Sequence, residues 1–201
     1  KAVSQNNDDS HTLIGNLYFY GKGVEKNYKE AQKWYEKCAK DPYSQFNLAY
    51  LYLNDYIKDQ NYSNGKKYLL MSALGELSYA CLYLANLHYN GEKRCQKNCN
   101  RAIFYYEKSA KLKNKESFYF LGKIYSNDDD VVDIDINKSI EYFKNCFDMF
   151  EKPEEPYDIY DDSLLLMHEI TAYHYVSSND LGLIYLIYKN NIKNAKTYLS
   201  V

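Results

Sequence analysis

One unit of about 36 residues recurs along this chain, and that periodicity constrains the fold more than any single motif. In its first copy Ile14, Leu17 and Tyr18 stand at i, i+3 and i+4, sharing one face of a helix. Gly21 and Gly23 then stop that helix, because glycine reaches the left-handed backbone that a helix stop often needs. Ala31, Trp34, Tyr35, Cys38 and Ala39 follow at i, i+3, i+4, i+7 and i+8, a second amphipathic helix. Asn27 is placed to cap it, with Glu30 reaching back to complete a capping box. Ile14 is echoed by Leu48, Leu84 and Leu121, at steps of 34, 36 and 37 residues. The small residue after each is Gly15, Ala49, Ala85 or Gly122. In the second helices the small position is Ala31, Gly65, Ala102 or Ser139. The bulky pair after it is Trp34-Tyr35, Tyr68-Leu69, Tyr105-Tyr106 or Tyr142-Phe143, with Trp34 expected in the core between helices. Asn27, Asn61, Asn98 and Asp135 stand as caps in the same phase.

Helical hairpins that bury their faces only against their neighbours stack into a rod, so the expected fold is all-α. The expected architecture is a right-handed α-solenoid of about five antiparallel helix pairs, with an irregular insertion before the last. Residues 1–10 form a polar lead-in and 11–147 hold four repeats. The acidic, proline-bearing loop and extra helix of 148–176 come next, then a degenerate fifth repeat at 177–201. A start at Lys1 without Met suggests a piece of a longer protein, and its polar lead-in contains no signal-peptide h-region. No run of about 18 apolar residues occurs to span a membrane.

The pattern from Ile14 to Ala39, with its Gly-Lys-Gly-Val turn and Ala-Gln-Lys-Trp-Tyr-Glu-Lys-Cys-Ala helix, resembles a Sel1-like repeat. That family is related to tetratricopeptide repeats, and the resemblance covers roughly three quarters of the chain. The second and fourth copies depart from it where Asp55, Ile57, Asp128 and Asp130 replace the turn glycines. The resemblance implies an α-solenoid scaffold for protein–protein contacts with no chemistry of its own. By family analogy an adaptor of endoplasmic-reticulum ubiquitin ligases is the favoured parallel, which implies the secretory lumen; the cytoplasm stays open as the compartment. A structural subunit of a larger assembly is the alternative. Cysteine-rich relatives linked to β-lactam binding are the rival enzyme class. They carry a disulfide pair in each repeat, whereas Cys81 here has no such partner in phase.

Composition excludes other classes. A net charge of −2 leaves no footprint for nucleic acid or an anionic membrane. Five cysteines cannot complete a disulfide framework within this sequence, and Cys38, Cys81 and Cys146 fall where small core residues belong. Cys95 and Cys99 share one loop, where a local disulfide or a zinc site are the readings to weigh. Zinc needs two further ligands, with His88 the only nearby candidate. No cofactor and no metal is expected. The acidic run Asp128–Asp135 lacks the glycine and glutamate of a calcium loop. His88 occupies a Tyr slot, and no histidine has a partner at a catalytic spacing, so no enzyme is expected.

Function then lies in surface. By analogy with tetratricopeptide repeats, the first helix of each hairpin lines a concave groove. Two positions after the reference residue stand Asn16, Tyr50, Asn86 and Lys123. Five after it stand Phe19, Leu53 and Tyr89, and six after it Tyr20, Asn54, Asn90 and Asn127. Amides that pair with a backbone and aromatics that cover side chains suit an extended protein or peptide partner. Leu183, Leu186 and Ile187 belong to a helix apolar on every side. Its face is expected to be covered by further chain, a second copy or a partner.

Overall fold

The computed structural model describes residues 2–57, 61–126 and 133–151. Among them it has eight helices and no strand. They are α1 (Ala2–Tyr20), α2 (Tyr28–Lys37), α3 (Pro42–Leu53), α4 (Tyr62–Leu74), α5 (Ser78–Asn90), α6 (Cys99–Lys111), α7 (Lys115–Ser126) and α8 (Ile136–Glu151). The polar lead-in is helical from Ala2, so α1 begins earlier than its apolar stripe suggested. The acidic insertion and the fifth repeat, with Leu183, Leu186 and Ile187, lie outside the described residues, as does Asn127.

The helices start where side chains can take up free backbone N–H groups. Asn27 Oδ1 accepts from the amides of Lys29 and Glu30, both at 3.1 Å. Asn61 accepts from Asn64, Asn98 from Arg101 and Asp135 from Lys138, at 3.0, 2.9 and 3.1 Å. The capping box is only half made, because the Glu30 carboxylate pairs with Lys33 instead of reaching back. The cap residue's own N–H is used too. It donates to the carbonyl of Tyr18, His88 or Tyr125 in the first, third and fourth hairpins, at 2.9, 2.8 and 3.0 Å. In these three hairpins the second helix is thereby tied to the first. At the end of α3 Asp55 takes a left-handed φ of 61°, where Gly21 has 73° and Gly91 has 72°. Aspartate tolerates that region better than most side chains, which explains how the second hairpin turns without glycine.

The chain forms two compact units. Among the described residues, the first holds 2–57, 61–80 and 92–95 and the second 81–91, 96–126 and 133–151. In the first, α1 packs on α2, α2 on α3 and α3 on α4. Its core gathers Phe19, Ala31, Tyr35, Leu48, Leu51 and Ile57. In the second, α6 packs on α7 and α7 on α8, and Tyr119, Ile140, Phe143 and Cys146 form a core cluster. The second member of each bulky pair is the buried one: Tyr35, Leu69, Tyr106 and Phe143. This corrects the expectation for Trp34, which is half-exposed, its ring against His11 at 5.5 Å and under Lys37 Nζ at 3.4 Å. Glycine is needed where these core rings cross: a Cβ on Gly15 would stand 2.6 Å from Cδ1 of Tyr35, and one on Gly122 2.8 Å from Cδ1 of Phe143.

Candidate partner-binding surface

The four residues two positions after each reference residue serve different ends. Tyr35 is fully buried, and its hydroxyl donates to Asn16 Oδ1 at 2.6 Å, an atom that also accepts from Asn47 Nδ2 at 3.2 Å. Tyr106 repeats this by donating to Asn86 Oδ1 at 2.6 Å. Where the buried residue is Leu69 or Phe143 there is no hydroxyl to satisfy, and the matching positions hold Tyr50 and Lys123. Asn16 and Asn86 are thus explained by the polar tip of a core tyrosine, whose buried hydroxyl needs an acceptor. Asn16 is buried, Asn86 half-buried and Lys123 exposed.

Of the remaining positions, Phe19 and Leu53 are buried, while Tyr20, Tyr50, Asn54 and Tyr89 are half-exposed and Asn90 is exposed. Asn54 Nδ2 donates to the carbonyl of Tyr50 at 3.0 Å, closing the last turn of α3. In the first unit Phe19 is the hub of an aromatic surface. Tyr20, Tyr28 and Tyr56 lie 5.1, 5.2 and 5.1 Å from it by ring centroids, and Tyr50 lies 5.8 Å from Tyr56. Lys22 and Lys26 place their ammonium groups 5.3 Å from the rings of Tyr20 and Tyr28. Burial first, and Tyr56 second, push the Tyr20 phenol up, so it stays a neutral donor at physiological pH. Tyr28 and Tyr56 are the members that the repeat pattern missed. Tyr56 has no aromatic echo one repeat on, and only the turn after α3 carries it back over Phe19.

Other titratable groups are accounted for by packing. His88 stacks on Tyr105 at 5.9 Å and 2°. This is the geometry of Tyr52 on Tyr68 and Tyr125 on Tyr142 in the same slot, so it acts as a packed aromatic. Cys38 is buried beside Ser44, whose hydroxyl is also 2.5 Å from that of Thr12. Cys95 and Cys99 are free thiols. No group of three or more His, Cys, Asp or Glu side chains among the described residues could hold a metal ion. Burial alone raises the Glu116 carboxyl from 4.5 to about 7. No described helix is long and apolar enough to cross a membrane. The surface thus offers half-exposed aromatics, amides and a few lysines, which suit a polypeptide ligand.

Four copies of the Sel1 repeat family model match residues 9–41, 42–76, 78–114 and 117–145. No curated protein sequence matches the chain significantly. Among solved structures, a Sel1 repeat protein from Oxalobacter formigenes superposes with a TM-score of 0.73 at 21% identity, over 99% of this chain and 72% of that one. A protective antigen of uropathogenic Escherichia coli strains, displaying an SLR fold, superposes with a TM-score of 0.72 at 23% identity. That match takes in 98% of this chain and 38% of that one. At these identities the likeness is one of fold.

Proposed function

Because the chain belongs to the Sel1 repeat family, whose α-solenoids generally serve as protein–protein interaction scaffolds, we propose that it is a non-catalytic adaptor for an extended segment of a partner protein. The observation that carries this reading is the half-exposed aromatic surface around Phe19, formed by Tyr20, Tyr28, Tyr50 and Tyr56. Rings held by neighbouring rings lose little freedom on binding, which favours them as contact residues. Asn54 stands beside it at the end of α3. In the second unit Tyr89, Asn90 and Lys123 offer the same kinds of group.

Recovery of a stoichiometric partner from native lysate, followed by surface variants, tests the proposal. Tyr20→Ala with Tyr50→Ala, and Asn54, Asn90 and Asn127 changed together to Ala, should each weaken binding about tenfold at unchanged helicity. Changing Lys29, Lys33 and Lys37, all exposed on α2, should leave binding intact. Equal losses from both sets would refute a first-helix binding surface.

A further inference from the structure

The outward stripe of the second helix is polar in three hairpins and apolar in one. Counting from the small residue, the fifth, sixth and ninth positions hold Glu36, Lys37 and Lys40 in the first hairpin. They hold Glu107, Lys108 and Lys111 in the third, and Lys144, Asn145 and Asp148 in the fourth. In α4 they are Leu70, Met71 and Leu74, exposed by 43%, 37% and 76%. The opposite side of α4 buries Gly65, Leu69, Ser72 and Ala73, so this stripe is surplus to the core. Large apolar side chains are costly to leave in water, and three at helical spacing on one face mark a contact surface.

A second observation concerns the other end of α4. The turn Glu92–Cys95 places Lys93 and Arg94 at φ of 50° and 58°, both left-handed, closed by Cys95 N donating to Glu92 O at 2.8 Å. A non-glycine residue is strained there, and Lys93 occupies the place of Gly23 in the first repeat. That turn lays the Arg94 guanidinium 4.8 Å over the ring of Tyr62 and lets Lys66 Nζ donate to Arg94 O at 2.7 Å. Lys67 is exposed one position on. The described carboxylates near this group are Glu92, in the turn itself, and Asp55, which accepts from the Tyr62 hydroxyl at 3.2 Å. Among the described residues four cations, Lys66, Lys67, Lys93 and Arg94, stand against two carboxylates at the N-terminal half of α4, where the helix dipole adds positive potential. The C-terminal half is apolar.

We propose that this outer face of α4 docks an amphipathic helix of a partner protein, with leucine-type anchors over Leu70, Met71 and Leu74 and an acidic turn over Lys66, Lys67 and Arg94. A second copy of the chain fits less well. Three side chains from each copy fall far short of the ~800 Å² per partner that a stable dimer buries, and the two cationic ends carry like charge. A helix needs only anchors at i, i+3 or i+4 and i+7, with charge fixing its direction. This face is separate from the aromatic surface around Phe19 and stands or falls without it.

The test uses the whole chain and two synthetic helical peptides. One has leucines at i, i+3, i+4 and i+7 and a glutamate-rich terminal turn, and the other has lysines in place of the glutamates. By fluorescence anisotropy at low ionic strength, the glutamate peptide should bind about tenfold tighter than the lysine peptide, an advantage that salt erodes. Leu70→Glu with Met71→Lys and Leu74→Lys gives α4 the residues that α2 and the turn after it already carry at these positions, so the fold should persist. It should weaken binding about tenfold. Lys66→Ala with Arg94→Ala should weaken only the glutamate peptide, and Tyr20→Ala with Tyr50→Ala should change neither. Equal binding of the two peptides, or binding untouched by the triple exchange, would overturn the proposal. So would a dimer that the triple exchange dissolves.

Discussion

Replacing Tyr35 by Phe removes one oxygen atom from the centre of the first unit, and its cost can be worked from the geometry. The phenol is fully buried and donates to Asn16 Oδ1 at 2.6 Å. Burial first, then Tyr20 and Cys38, holds its pKa well above the ordinary value, so it remains a donor at every practical pH. Without it, Asn16 Oδ1, in a side chain that is 6% exposed, loses its shorter bond and keeps the longer one from Asn47 Nδ2 at 3.2 Å. A net hydrogen bond contributes about 1 kcal/mol, and stranding a buried acceptor costs about 1–3. The acceptor is not stranded, because the Asn47 donor remains, so about 1–2 kcal/mol is expected. Tyr106→Phe removes a bond of equal length, but Asn86 is half-exposed and water can replace the donor. Its cost should be about 0.5 kcal/mol, the low end for a hydrogen bond. Urea denaturation followed by far-ultraviolet circular dichroism should resolve the two, and the thermal midpoint should fall by roughly 2–4 °C per kcal/mol. Asn16→Ala should cost less when combined with Tyr35→Phe than alone, since the two side chains share one interaction. Equal costs for Tyr35→Phe and Tyr106→Phe, or none for the first, would refute the reasoning that burial of the acceptor sets the magnitude.

Asn27→Ala, which strips the cap from α2, should lower stability by about 1 kcal/mol in the same assay. Gly122→Ala gains about 1 kcal/mol of helix propensity but drives a methyl into the buried ring of Phe143, where overpacking costs about 1–3. Net destabilisation is expected, and a higher thermal midpoint would contradict the close crossing of α7 and α8. Glu116 holds its proton in the folded state to about pH 7 but releases it near 4.5 when unfolded, so the folded chain binds more protons between those values and stability falls as pH rises through them. The loss is of the order of 3 kcal/mol, and Glu116→Gln should flatten the profile and stabilise the chain above pH 7. The chain should self-associate in sedimentation, and Leu183→Glu with Ile187→Glu should make it monomeric without loss of helicity. A monodisperse unmutated chain at high concentration would count against a covered C-terminal face.

Helix pairs, their caps and their order were legible in the sequence, because a repeating unit writes the same local physics several times. Asn27, Asn61, Asn98 and Asp135 keep phase with Ala31, Gly65, Ala102 and Ser139, and each cap does bind the first-turn amides. Which residue of a bulky pair enters the core was not legible. Trp34 and Tyr35 sit about 100° apart on one apolar stripe, and only the helix crossing at Gly15 selects Tyr35. Likewise, an asparagine two positions after the reference residue reads as a ligand group until the tertiary fold brings a tyrosine hydroxyl to it. The pairing of Asn16 with Tyr35 and Asn86 with Tyr106, against Tyr50 with Leu69 and Lys123 with Phe143, was written in the chain but had no meaning before those residues were known to touch. Periodicity tells which face of a helix is apolar; what fills that face, and which apolar residues are left over as at Leu70 and Leu74, depends on neighbours distant in sequence.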